Sequence, residues 1–473
     1  MTQTKCVINV RVKILNKIKN NLNNNLGMFN LKINHKIYLF LFRFGIFLLV
    51  SAPAISAFCL LISLIHSCIL NWRKIFKDKW NYLFIIASLL MIFIAFFQSL
   101  ELNELSISIF EINNQEVKER LINWNSFSSL IGLSNWLPLF LCFWGFQPYL
   151  STNNDREIVA KLFVTGSVPV LVSGFGQYWF NWYGQMDTMN GLIIWFQQDT
   201  GSGITSIFSN QNYAGCWLNI VFPFAIAMFC QRTRNIFKKG SSLLFVISIA
   251  FASYLTTSRN AWGGLLLTIP LLFGPSYFHL IIPILSLLAI LIFLKIFNYI
   301  PENIDSFLNS IIPSKYNIFS QFSPSIYTDK SFNRNTIFLF AINMISKKPF
   351  IGLGAATFPI YYYMQYEIYM GHAHNLFLDY AFSFGIFVAL IVFTNIFLLG
   401  YLCFKKIYFP KVKKNLENFF FERAWFTSFL VLLFSQMFDV QYFDLRISLS
   451  FWILLAGMKC IVSEVPKEQT QIS

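Results

Sequence analysis

A series of apolar runs, several long enough to cross a bilayer, constrains this chain more than any other feature. Residues 82–98, 131–150, 243–255, 280–297 and 376–399 are almost wholly hydrophobic. A spanning helix needs about 20 such residues to traverse roughly 30 Å of hydrocarbon. Of the 473 residues, 56% are hydrophobic and only 12% charged, too few charges to cover the surface of a water-soluble domain. The expected fold is therefore an all-α polytopic membrane protein.

The formal net charge of +15 would point to nucleic acid in a soluble chain. Here the basic residues cluster in short segments between apolar runs, as topology requires, and no nucleic-acid partner is expected. The same bias predicts orientation. The basic, Asn-rich segment 1–37, with Lys5, Arg11, Lys13, Lys17, Lys19, Lys32 and Lys36, reads as a cytoplasmic tail. The basic stretch 73–79 belongs on the same side, so residues 38–70 cross twice with Pro53 near the tip. Alternation continues through spans at 82–98, 131–150, 158–180, 205–230, 241–257, 261–275, 278–299, 374–404, 422–439 and 446–463. That makes about twelve helices in one membrane domain, 38–465, with a cytoplasmic tail at 466–473. Both termini are thus expected on the inside, as in a multi-pass inner-membrane protein.

Residues 300–372 form one large extracytoplasmic segment, too long for a connector and too apolar for a free linker, so short helices against the membrane surface are expected there. A helix is predicted over 332–346, ended by Lys347-Lys348-Pro349 and followed by a Gly352-Leu353-Gly354 turn. None of the eight cysteines lies in a long polar loop, and no zinc-like Cys/His spacing occurs.

Ionisable groups beside spans are costly and so are candidates for chemistry. On this topology Arg259, Arg334, His372, His374 and Asp379 converge at the outer surface. Arg259, in a break between apolar runs, and Arg334, on the loop helix, suit either an anionic ligand or interfacial anchoring. His374 precedes a helix start near Leu376, where a positive terminus favours a neutral ring and attracts anions. That ring could act as a base. His372 and His374 form an HxH pair, but no third ligand stands at suitable spacing and no Asp-x-Asp pair exists, so no metal is expected. Asp379, four residues after Asn375, is expected to orient that amide. Asn210, Gln211 and Asn212 read as a helix cap or as ligands to a polar group. Tyr361, Tyr362, Tyr363, Tyr366 and Tyr369 read as an aromatic belt or as sugar-stacking surfaces.

The stretch from Arg334 to Gly354 followed by His372-Ala373-His374-Asn375-Leu376, together with residues 208–215 and Thr257-Ser258-Arg259, resembles the O-antigen ligase and polymerase superfamily. Ligases of that family carry a motif matched here by His374, Asn375 and Gly385, with Val388 departing at its last position. The match selects His374 over His372. The resemblance implies a C-type glycosyltransferase-like membrane fold and metal-independent, inverting transfer without a cofactor. The donor would be an undecaprenyl-diphosphate-linked glycan and the acceptor a hydroxyl of a glycan or lipid, at the outer face of the inner membrane. Arg259 and Arg334 would bind the diphosphate and His374 would deprotonate the acceptor, with His372, Asn375, Asp379, Asn210 and Asn212 in support. One branch of the superfamily is described as bicarbonate-transporter-like, so transport is the alternative. It would require polar groups through the bilayer midplane, where His66 is the main exception to an apolar interior.

Overall fold

The computed structural model describes residues 35–101, 114–121, 123–188, 193–197, 203–274, 279, 282–283, 286–287, 290, 334–410 and 416–464. Residues 1–34, 300–333 and 465–473, and with them both tails and the first half of the long loop, lie outside the described residues.

Residues 35–48 form α1, and Pro53–Ile75 forms α2 after a turn. Pro53 opens α2, where its missing N–H costs no helical hydrogen bond. Lys79–Glu101 is α3, followed by the short α4 (Gln115–Leu121) and α5 (Ser128–Ile131). The single span expected at 131–150 is instead a 3-10 turn at Gly132–Asn135, the helix α6 at Leu137–Gly145, and a second 3-10 turn at Gln147–Tyr149. Prolines explain the interruption. Pro138 stands in the first turn of α6 and Pro148 in the second 3-10 turn, each removing an amide that a through-going helix would need.

Asn153–Gly166 (α7) and Val168–Phe180 (α8) run on as one apolar segment with a turn at Ser167. A two-stranded antiparallel hairpin follows, β1 (Gly184–Thr188) with β2 (Ile193–Gln197), Gly184 opposite Gln197. The run Ile193-Ile194-Trp195-Phe196 has the β-branched and aromatic character that suits a strand. Next come α9 (Gln211–Cys230), α10 (Ile236–Leu255) and α11 (Arg259–Phe273). The remaining helices are α12 (Arg334–Lys347), α13 (Phe358–Tyr366), α14 (Leu376–Phe384), α15 (Ile386–Tyr408), α16 (Leu416–Gln436) and α17 (Leu445–Ser463).

Seven helical segments among the described residues are long and apolar enough to cross a membrane: α2, α3, α7 with α8, α9, α10, α15 and α17. Of the other expected spans, α1 and α11 are short, and α16 carries Glu417, Glu422 and Arg423 in its first half. Most of 278–299 lies outside the described residues. At the centre, α9 and α17 are the most enclosed segments and α10 is the most open. α9 packs on α7, α10, α11 and α16, while α17 packs on α6, α15 and α16.

The span expected at 374–404 is broken at Gly385, and the break is built in. Gly385 has φ +88°, and a side chain there would place Cβ 2.3 Å from the carbonyl oxygen of Phe350. The Gly352-Leu353-Gly354 turn docks on this break: Leu353 N–H donates to Phe382 O (2.7 Å), and Ile386 N–H donates to Pro349 O (2.8 Å). Buried Gln98 of α3 donates to Ile351 O (2.6 Å) and Ser383 O (2.9 Å), tying turn, break and α3 together. The glycine motif is thus a latch that fixes where α14 ends, the helix whose start follows His374.

The candidate site at the helix N-termini

Four helices begin at one end of the bundle, and each is capped by its own polar side chain. Asn210 accepts from Asn212 N–H (2.7 Å) at α9, and Ser258 from Ala261 N–H (3.4 Å) at α11. Asn375 accepts from Leu378 N–H (3.0 Å) at α14, and Asp444 from Arg446 N–H (2.9 Å) at α17. Hydrogen bonds between elements show that these starts share one place. Ser258 Oγ donates to Asn212 Oδ1 (2.8 Å), Asn212 Nδ2 to Asp439 Oδ2 (3.0 Å), and Asn375 Nδ2 to the Met437 carbonyl (3.0 Å). Each helix start carries positive partial charge, so their meeting favours an anion nearby.

His374 has φ +52°, a conformation uncommon for a non-glycine residue. Its Nδ1 lies 2.8 Å from Asp439 Oδ1, and its Nε2 lies 3.2 Å from Met370 Sδ. An ionised carboxylate only accepts, so the contact places the ring proton on Nδ1 and leaves the Nε2 lone pair for a reactant. His372 accepts the His374 backbone N–H at its Nδ1 (3.2 Å), and its Nε2 is 4.0 Å from the same Asp439 oxygen.

Burial raises the Asp439 carboxyl, but the His374 hydrogen bond, and then the charges of His374, His372 and Arg334, outweigh burial and hold it below its usual value. Burial, followed by the His374 charge, pushes His372 down to about 4 against the upward pull of Asp439, with Arg334 lowering it further. Arg334 is exposed at the start of α12, close enough to act on both groups. Arg259 is likewise exposed, as the first residue of α11 beside Ser258.

Asp439 is absent from the sequence expectations. It comes from the turn between α16 and α17, 65 residues from His374, so no local spacing exposes it. A usable signal was present: an acidic residue at the end of an apolar run, on the side where the other ionisable groups gather. Asp439 also supplies the third ligand that spacing did not reveal, since one ligand atom each from His372, His374 and Asp439 lie within 4.8 Å of one another. Among the described residues, those three are the group that could hold a metal.

Of the supporting residues, some take the expected role and some another. Asp379 does not orient the Asn375 amide, which is engaged by Leu378 N–H and the Met437 carbonyl. Buried Asp379 instead accepts the Ala373 N–H (3.2 Å) and so fixes the backbone between the two histidines. Asn210 is a cap, while its neighbour Asn212 reaches the acidic residue. Tyr362 is fully buried against Phe340 and Phe358, so the tyrosine run is partly core. His66 stacks on Tyr38 with ring centroids 3.5 Å apart, and its Nδ1 is 3.3 Å from the Tyr149 hydroxyl.

The chain is therefore a multi-pass helical membrane protein whose helix starts and break-flanking loops assemble a polar site at one end of the bundle. Residues 243–393 match the family model described as O-antigen ligase, which supports the resemblance to the O-antigen ligase superfamily. The matched range takes in Arg259, Arg334 and His374 and stops short of Asp439. No curated protein matches the chain.

Proposed function

We propose that this protein is a membrane glycosyltransferase of the O-antigen ligase or polymerase type. It transfers a glycan from an undecaprenyl-diphosphate-linked donor to a hydroxyl of a glycan or lipid acceptor, at the outer face of the inner membrane. The observation that carries this reading is the His374–Asp439 contact of 2.8 Å, set where four helix N-termini meet and within the influence of Arg334.

In the proposed reaction the acceptor oxygen attacks the anomeric carbon of the donor sugar while the bond from that carbon to the diphosphate oxygen breaks. The acceptor proton passes to His374 Nε2, and Asp439 holds the ring and stabilises the imidazolium that results. Attack opposite the leaving group inverts the anomeric centre. Arg259, Arg334 and the helix starts receive the charge that develops on the diphosphate, a contribution worth about 3 kcal/mol for each well-placed donor. Met370 covers Nε2 and moves aside when the acceptor enters. General-base catalysis of this kind typically contributes about 10²- to 10⁴-fold.

The reaction needs no metal in this reading. Arg334 beside His372 and Asp439 disfavours a dication, and the histidine–carboxylate hydrogen bond already accounts for the buried charge. Transport has less support, because His66 is packed between tyrosines and the candidate ionisable groups gather at one end. Cells carrying His374→Ala or Arg334→Ala are expected to lose surface-polysaccharide chain length or attachment while the protein still inserts. Wild-type polysaccharide profiles in both variants would contradict the proposal, and activity abolished by a chelator would contradict metal independence.

A further inference from the structure

At the end of the bundle opposite the candidate site, a cavity of about 530 Å³ lies between the α2–α3 turn, the 3-10 turn at Gln147–Tyr149 and the last turn of α17. α17 separates the two places: Asp444 caps its start and Glu464 follows its end, and its 19 residues span roughly 28 Å at about 1.5 Å each. The two sites share no residue.

The lining of this cavity leaves polar groups unanswered. Asn81 is 2% exposed, and its Nδ2 donates to Ile75 O (2.8 Å), yet its Oδ1 has no hydrogen-bond partner. Trp144 Nε1 is also buried without an acceptor. Both residues line the cavity. Lys74, at the mouth, is an exposed cation with no ion-pair partner among the described residues. Asp78 and Glu464 line the same space, the first paired with Lys459 (2.6 Å) and the second with Arg156 (2.6 Å). Buried polar groups normally find partners, and two orphans of opposite kind at one cavity call for a ligand that both accepts and donates.

We propose that this cavity binds the headgroup of a membrane phospholipid of the phosphoethanolamine kind. Its phosphate accepts from Trp144 Nε1–H and Lys74, and its ammonium donates to Asn81 Oδ1 near the carboxylates of Asp78 and Glu464. A mixed-sign lining suits a zwitterion better than a net anion. A membrane source, and not a soluble phosphate ester, follows from the setting. Trp72 near the end of α2 and Phe76 just after it are exposed beside Lys74, apolar surface along which acyl chains can lie.

Native mass spectrometry of the full-length protein in detergent tests this, with short-chain phosphatidylethanolamine and phosphatidylcholine as probes. The choline headgroup has the same charges but no N–H donor. Phosphatidylethanolamine is expected to bind at about tenfold lower concentration, the effect of one charge-assisted buried hydrogen bond. Trp144→Phe and Lys74→Ala should each weaken its binding. Lys74 is exposed, so that variant keeps the test open if Trp144→Phe does not fold. Equal binding of the two lipids, or unchanged phosphatidylethanolamine binding in Lys74→Ala, would overturn the proposal. So would glycerophosphoethanolamine, the headgroup without acyl chains, binding as tightly as the lipid.

Discussion

His374, Asp439 and His372 form a set in which each ring is defined by its neighbour. Because Asp439 fixes the His374 tautomer, Asp439→Asn should act on the chemical step more than on donor binding, with turnover falling about 10²-fold or more and the Michaelis constant nearly constant. The pair also predicts a pH dependence of stability. His372 is held near 4 in the folded protein against an ordinary value of 6.5, and Asp439 is held below 3.8, so both are deprotonated in the folded state where the unfolded chain takes up protons. The stabilisation from His372 is full above about pH 6.5 and is lost as the pH falls toward 4, by roughly 3 kcal/mol. Thermal unfolding across that range should show the slope, and His372→Asn should flatten it. An unchanged slope in the variant would show that another group is responsible. At this scale the sequence singles out Arg259, Arg334 and His374 as candidates, because charge beside apolar runs is conspicuous. It was silent on Asp439, since contact across 65 residues leaves no spacing to read.

Among the elements, hydropathy located most helices but not their interruptions. The stretches 131–150 and 374–404 are mostly apolar, and an average over side-chain hydropathy carries no information about backbone dihedrals. What breaks them is Pro138 and Pro148 in the first, and Gly385 with φ +88° in the second. These residues were visible, but their effect depends on partners: Gly385 must be glycine because Phe350 O sits where Cβ would be. Gly385→Ala should therefore destabilise the protein by about 1–3 kcal/mol or more and misplace α14, lowering activity and melting temperature together. Gln98→Leu removes two hydrogen bonds from the same latch and leaves the Ile351 carbonyl short of a donor, while Ser383 O keeps the Gly354 N–H, for a loss of about 2 kcal/mol. A melting temperature unchanged in both variants would mean that the latch does not hold the break.

Across the whole molecule, the two ends of the bundle differ in kind. One gathers helix N-termini, two histidines and an acidic residue; the other holds ion pairs such as Arg156–Glu422 (3.3 Å) and Lys459–Asp78 (2.6 Å) around a polar cavity. On the orientation expected from basic-residue bias, the first end would face outside and the second the cytoplasm. Cysteines introduced at exposed Gln365 and exposed Lys74 should accordingly differ in intact cells, with an impermeant maleimide adding label over background at 365 only. Label gained at 74 instead would invert the topology and with it the proposed membrane face. The membrane class was plain from composition, whereas the expected dozen spans exceeded the seven long apolar segments among the described residues, because short, broken and charged helices join the bundle and most of 278–299 lies outside those residues.

Single-turnover transfer by the purified protein in nanodiscs, from a lipid-diphosphate-linked glycan to an acceptor glycan, addresses the central claim most directly. The wild type is expected to release the lipid diphosphate and form product with an inverted anomeric centre. His374→Ala and Asp439→Asn should bind the donor yet transfer about 10²- to 10⁴-fold more slowly. Wild-type rates in both variants, or no transfer by a wild-type protein that binds the donor, would contradict it.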